Sequence, residues 1–452
     1  MPASQPRHDE PPRAVASIPT DDPSTGLIYK GLRVAPQGDH CVGVLSTADG
    51  HCTHGPDAPP KGVDISKDTP PAATTLPILD ARADQPPATP ASAPGTGNVV
   101  AALTDQSVVC DGNGDSGNRV QVVYAHGPGR NRYAQYVASF RKWAAETDAI
   151  YLASAQETGG VRHIRFATAA DCTPTVLDAE LPDAAMAEFS AMNAALAQKG
   201  FNRKDRKYMV FADANVYCGI GTFNGDERPG QDNLSNFGPS YGRSDSGCWN
   251  AHTAAHELGH NLGAVNNSAP NSSKGAHCVY DWDLMCYSDY PYYPQMKTVC
   301  PDRAHSDRLD CTHDDYYSTD PKPGSYLASH WNVANNRFLI AGNGTKPDPN
   351  PTSSRSPNPS PTNTGPTTSP EVTVTQLMPN SAVVTWPAVN SADWYEVFLN
   401  GKHTGWVKQP TNRLSNLRPD TDYTIAVSVR DNAGRDSKPG RAVSFHTPKA
   451  TS

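Results

Sequence analysis

No run of apolar residues in this sequence is long enough to cross a bilayer, so no membrane-spanning helix is expected. It also lacks a lysine/arginine stripe: 38 basic side chains stand against 46 acidic ones, which excludes a nucleic-acid footprint. There is no Cys-x-x-Cys pair, which argues against a cysteine-built structural zinc site or a thioredoxin-like motif. The opening residues, Met1 to Glu10, carry no apolar h-region, so a signal peptide is expected to lie upstream or to have been removed. Ser244 and Ser246 have no base at a recognisable spacing, so a serine hydrolase finds no support.

What the sequence does have is ten cysteines, an even number, which points to five disulfides and an oxidising, extracellular setting. The simplest connectivity pairs each with its next neighbour, from Cys41–Cys52 through Cys300–Cys311. At 452 residues the chain has room for two or three domains. Residues 1–98 are rich in proline, alanine, threonine and aspartate, and read as a largely disordered leader or pro-segment with two short strands, Gly31–Val34 and Cys41–Leu45. Residues 99–342 read as a globular α+β domain. Strands are expected at 119–124, 162–166 and 207–212, and helices at 133–147 (Tyr136, Phe140 and Trp143 inward) and 183–196. In the second helix Met186, Phe189 and Leu196 face inward, with Met192 near the edge of that face. The polar passage from Cys218 to Cys248 should carry an edge strand and cleft loops, and 324–340 should be a closing helix. Residues 343–369 form a Pro/Ser/Thr linker.

The chemistry concentrates in Ala255 to Gly263. His256 and His260, four apart on a predicted helix, share one face and can hold one Zn²⁺. Glu257 can then reach a water on that metal, and Gly263 lets the chain leave in a left-handed turn. With Asp283-Leu-Met-Cys-Tyr287 downstream, these residues resemble the metzincin clan of zinc endopeptidases, its extended His-Glu-x-x-His-x-x-Gly motif and its Met-turn. The resemblance implies a mixed sheet with a zinc helix, peptide hydrolysis by a zinc-activated water with Glu257 as general base, and Met285 as an apolar floor. It also implies an oxyanion-stabilising role for Tyr287 and a substrate laid along the edge strand before the zinc helix.

The third zinc ligand departs from the family pattern, because Asn266 stands where a His or Asp is usual. His277 is the preferred alternative, ahead of Asp281 and Asp283, with Cys278 set aside for a disulfide to Cys286. Cys52, in His51-Cys-Thr-His-Gly-Pro-Asp57, could cap the zinc as a thiolate, although Cys41 offers it a plain disulfide. The aspartates between Cys300 and Tyr316 make Ca²⁺ a secondary cofactor expectation. After the linker, residues 370–449 look like a fibronectin type III sandwich. Trp386 matches its core tryptophan, and Leu417 with Tyr423 its tyrosine corner. The expected function is secreted zinc endopeptidase acting on protein or peptide substrates, with the sandwich as a contact to an extracellular polymer or matrix. The alternative, kept open by Asn266, is a secreted binding or adhesion protein on a catalytically impaired scaffold.

Overall fold

A computed structural model describes residues 14–72, 106–342 and 369–449, apart from 380, 391, 408, 415, 416 and 432–436. Residues 343–368 of the expected linker 343–369, and the leader stretches 1–13 and 73–98, lie outside the described residues. The chain divides into two units, 1–349 and 350–452.

In the first unit the leader contributes three two-residue strands, β1 (Arg33–Val34), β2 (Leu45–Ser46) and β3 (Cys52–Thr53). Then come β4 (Arg119–His126), α1 (Tyr133–Glu157), β5 (Arg162–Ile164), β6 (Val176–Glu180), α2 (Asp183–Met186) and α3 (Phe189–Gln198). β7 (Arg206–Ala212), β8 (Gly219–Phe223), β9 (Tyr241–Asp245), α4 (Ala251–Leu262) and β10 (Leu339–Ala341) complete it. One eight-stranded sheet runs in the order β1-β2-β3-β8-β9-β7-β4-β6. β9, β7, β4 and β6 are parallel, β8 is antiparallel to β9, and the leader's β3 is antiparallel to β8.

Alternation along the central strands explains the layers. Val120, Val122 and Tyr124 of β4, with Met209 and Phe211 of β7, face a cluster built with Phe140 and Trp143 of α1 and Trp249. Val123, Ala125, Tyr208 and Val210 face the other side, where Met186, Phe189, Met192 and Leu196 pack. Met192 is therefore central to that cluster and fully buried, not at its edge. Helix 183–196 is interrupted: Glu188 leaves helical backbone (φ −143°) to pair with Lys30, and the Phe189 N–H donates to the Tyr217 hydroxyl.

The expectations for the leader and for the closing segment also fail. The leader is not largely disordered over 14–72, because Val15, Ile28, Tyr29, Leu32 and Leu45 are buried in the same cluster as Val123 and Phe189. The closing helix at 324–340 does not form; single 3-10 turns stand at Tyr326–Ala328 and Val333–Asn335, followed by β10. Its asparagines bond elsewhere, as short amides tend to do. Asn332 exchanges bonds with Ser318, and Asn336 Nδ2 joins Trp331 Nε1 in donating to Leu262 O, satisfying a carbonyl at the end of α4. Five disulfides join neighbouring cysteines: Cys41–Cys52, Cys110–Cys172, Cys218–Cys248, Cys278–Cys286 and Cys300–Cys311.

The second unit is a sandwich. β11 (Thr373–Met378), β12 (Ser381–Thr385) and β15 (Thr411–Leu414) form one sheet. β13 (Ala392–Leu399), β14 (Lys402–Val407), β16 (Asp422–Asp431) and β17 (Val443–His446) form the other. Trp386 is buried between them with Tyr395, Val397 and Leu417, and the Arg418 N–H donates to the Tyr423 hydroxyl at 2.8 Å, closing a tyrosine corner. Among the described residues no helix is long and apolar enough to cross a membrane.

Candidate metal centre

Helix α4 starts at Asn250, whose side chain accepts from the Thr253 N–H, and ends at Gly263 in the left-handed region (φ 98°). It lies on β8 and β9, where glycines let it approach. A Cβ at Gly219 or Gly221 would strike the Glu257 carboxylate, and one at Gly242 the Glu257 Cβ. On its far side a Cβ at Gly259 would strike the sulfur of Met285, which is fully buried beneath the helix. The small residues of the 218–248 passage are thus a packing requirement of the helix. That passage holds buried strands β8 and β9, where polar composition alone suggested an uncovered rim.

His256, His260 and His277 converge. Their three Nε2 atoms lie 3.1, 3.1 and 3.2 Å apart, and all three rings are buried. Each Nδ1 is engaged: His256 donates to Leu284 O at 2.6 Å, His260 to Ala264 O at 3.0 Å and His277 to the Asp289 carboxylate at 2.5 Å. A carbonyl oxygen can only accept, so for His256 and His260 the proton must sit on Nδ1; the Asp289 carboxylate sets the same tautomer for His277. Three Nε2 lone pairs then point at one another, which is repulsive unless a cation lies between them. Tetrahedral zinc with nitrogen ligands at about 2.0–2.1 Å would separate them by roughly 3.3 Å, close to the spacing present. The donor set therefore fits zinc.

The other candidates lie elsewhere. Asn266 lines a cavity of about 380 Å³ with Val44, Phe223 and Lys274. Asp283 accepts from Tyr316 Oη and from the backbone N–H groups of Met285 and Cys311, and Asp281 accepts from Thr298. Cys278 is bonded to Cys286. The acidic 302–315 stretch is likewise occupied by internal bonds: Asp310 accepts three backbone N–H groups, Asp315 binds Asn271, and Asp307 pairs with His252. Tyr287 does reach the centre, its ring 5.1 Å from that of His256 and 5.2 Å from that of His277. Burial, then the charges of Asp57 and Glu257, hold its hydroxyl protonated well above the ordinary tyrosine range.

Cys52 cannot offer a thiolate, because its sulfur is bonded to Cys41. The same leader stretch instead supplies two residues that sequence reasoning missed. Asp57 places Oδ2 at 3.2 Å from His256 Nε2 and Oδ1 at 3.5 Å from His277 Nε2, and its N–H donates to Gly219 O at 2.9 Å. His54 stacks on His260 with ring centroids 4.0 Å apart, accepts the Gly221 N–H on Nε2, and has Nδ1 3.2 Å from Asp57 Oδ1. Its Nε2 lies 3.6 Å from Glu257 Oε2. Burial lifts the Glu257 carboxyl well above its usual range, with the charge of Asp57 adding to it. Burial opposes ionisation of Asp57 too, but His54 and His256 hold that carboxyl well below its usual range. The available signal was His-Gly-Pro-Asp beginning two residues after Cys52, fixed by a short disulfide loop in an otherwise non-periodic segment.

Residues 365–446 match the fibronectin type III domain model. No curated protein matches the chain. Among solved structures, the fn3 domain of human contactin 1 is similar at 27% identity over 22% of this chain and 97% of that one, with a TM-score of 0.19. The chicken CNTN1 FN1–FN3 domains match at 27% identity over 19% of this chain, with a TM-score of 0.18, and the chain spans only 32% of their length. Chitinase ChiA74 from Bacillus thuringiensis matches at 26% identity over 20% of this chain and 14% of its own, with a TM-score of 0.18.

Proposed function

We propose that residues 99–342 are the catalytic domain of a secreted, metzincin-like zinc endopeptidase. The observation that carries this reading is the meeting of three buried Nε2 lone pairs from His256, His260 and His277 beside the carboxylate of Glu257. Zinc bound there would acidify a water and polarise a peptide carbonyl. Glu257 takes the proton as the water attacks and returns it to the leaving amine. Tyr287, protonated at neutral pH, donates to the oxyanion. The substrate backbone lies along β8, held by main-chain bonds of the kind Gly219 O already accepts from the Asp57 N–H. Met285 supports the histidines from below and takes no part in proton transfer. Five disulfides support an extracellular setting, and the fibronectin type III match supports binding of an extracellular protein or matrix by residues 370–449.

The rival reading, a binding protein on an impaired scaffold, rested on Asn266; with His277 beside the other two imidazoles, that substitution no longer argues for it. The test measures zinc per chain and casein hydrolysis, using Asp57→Ala chains so that no leader carboxylate stands over the histidines. The expected result is one zinc per chain with or without Glu257→Ala, and hydrolysis cut by about a thousandfold or more when Glu257 is replaced. Hydrolysis that survives Glu257→Ala would overturn the mechanism, and zinc without hydrolysis in either chain would favour the binding reading.

A further inference from the structure

We infer that residues 52–57 are an internal latch in which Asp57 is the fourth ligand of the metal held by His256, His260 and His277, while His54 screens Glu257. The inference rests on the zinc reading of those histidines.

The geometry of the leader carries it. β3 adds to β8 antiparallel, with Cys52 opposite Phe223 and Thr53 opposite Thr222. The pairing resumes at Asp57, opposite Gly219. The leader thereby takes the main-chain bonds that a substrate strand would need on this edge. Between the paired positions the chain turns through Gly55 (φ 97°), where a Cβ would meet the Tyr29 ring at 3.2 Å. That turn brings His54 and Asp57 to the histidines together. Asp57 is buried, and its carboxylate lies with His256 and His277 in a group whose ligand atoms all fall within 4.8 Å of one another. A carboxylate is a normal zinc ligand, and three imidazoles plus one carboxylate close a tetrahedral site, leaving no position for water or a scissile carbonyl. His54 is not a further ligand, because its Nε2 already accepts the Gly221 N–H. It lies instead against both that strand and Glu257, its Nε2 3.6 Å from Glu257 Oε2, where the base would need access to solvent.

Anchors on both sides hold the segment in place. Before it, the Cys41–Cys52 disulfide fixes the start of β3. After it, Asp68 pairs with Arg130 at 2.8 Å and Arg132 at 2.7 Å, and Tyr136 Oη donates to Thr69 O. With Asp57 on the metal the full chain is latent.

Cobalt(II) substitution of the full chain tests this, read by visible absorption alongside hydrolysis of a fluorogenic peptide, for wild type, Asp57→Ala and Asp57→Asn. The asparagine variant keeps the side-chain volume should alanine unsettle the segment. The expected result is one cobalt in each chain, a ligand-field spectrum that changes in both variants, and hydrolysis at least tenfold faster than wild type. His54→Ala should leave the spectrum near that of wild type and raise hydrolysis less. An unchanged spectrum in both Asp57 variants, or a wild-type chain as active as they are, would overturn the latch. A changed spectrum with no hydrolysis in any chain would keep Asp57 as a ligand and remove the peptidase reading. Failure of wild type to bind cobalt would remove both.

Discussion

The leader and the C-terminal sandwich differ in where their apolar side chains go. The sandwich keeps its own: Val372, Val384, Trp386, Tyr395, Val397, Leu417, Val427 and Phe445 pack among themselves. Among its described residues the leader keeps only a small cluster, Ala35, Cys41, Val44 and Cys52, and that closes on Phe223 and Ala276 of its host. Its Ile28, Tyr29, Leu32 and Leu45 enter a cluster owned by β4, β7 and α3, and its strands exist as additions to β8. A segment with its own core folds by itself. One without can be ordered only on its host, and it unfolds with that host.

The largest effect that sharpens this contrast is Trp386→Ala. Removing a buried aromatic costs about 3–5 kcal/mol, comparable to the whole stability of a small domain. Calorimetry of the full chain should lose the sandwich transition and leave the other in place; a joint shift of both would break the contrast. Leu45→Ala, which empties a site 1% exposed, should cost about 2–4 kcal/mol and lower the melting temperature of the leader and residues 106–342 together, by roughly 5–10 °C. A separate leader transition would show that the leader does not depend on its host.

The smallest of these effects is a pH dependence. Burial opposes ionisation of Asp68, but bonds from Ser246 and Arg132 hold its carboxyl below the ordinary aspartate range. Its contribution to leader docking is therefore fully present above about pH 4 and is lost as pH falls through the lowered value. The effect is modest, since the side chain is 36% exposed and solvent screens the ion pairs. Protection of the amides at residues 52–57 against hydrogen exchange, taken relative to the intrinsic rate at each pH, should fall on acidification in wild type, and less steeply in Asp68→Asn. Equal slopes in the two chains would remove Asp68 from the docking.

The same contrast governs what could be read in advance. The sandwich was legible because alternation, Trp386 and the Leu417–Tyr423 corner are local signals of a self-contained core. Neighbour pairing of the cysteines was legible where it closes a local loop of 8 or 11 residues, as at Cys41–Cys52, Cys278–Cys286 and Cys300–Cys311; Cys110–Cys172, 62 apart, carries no such local signal. The zinc helix and its left-handed exit at Gly263 were equally local. The third imidazole was legible only as one choice among several, because thirteen residues of irregular chain separate Gly263 from His277 and no periodicity fixes where that chain returns. The closing segment misled because Leu327, Trp331 and Phe338 offer helical spacing, while Asn332 and Asn336 bind other segments. Asp57 and His54 were hidden because their meaning lies wholly in the strand they pair with.

The most direct check on the central claim is zinc bound per chain at limiting metal, in wild type and in His277→Ala. One zinc per wild-type chain, and at least a tenfold loss of occupancy without the third imidazole, is the predicted result. Equal occupancy in the two chains, or no zinc in either, would contradict it.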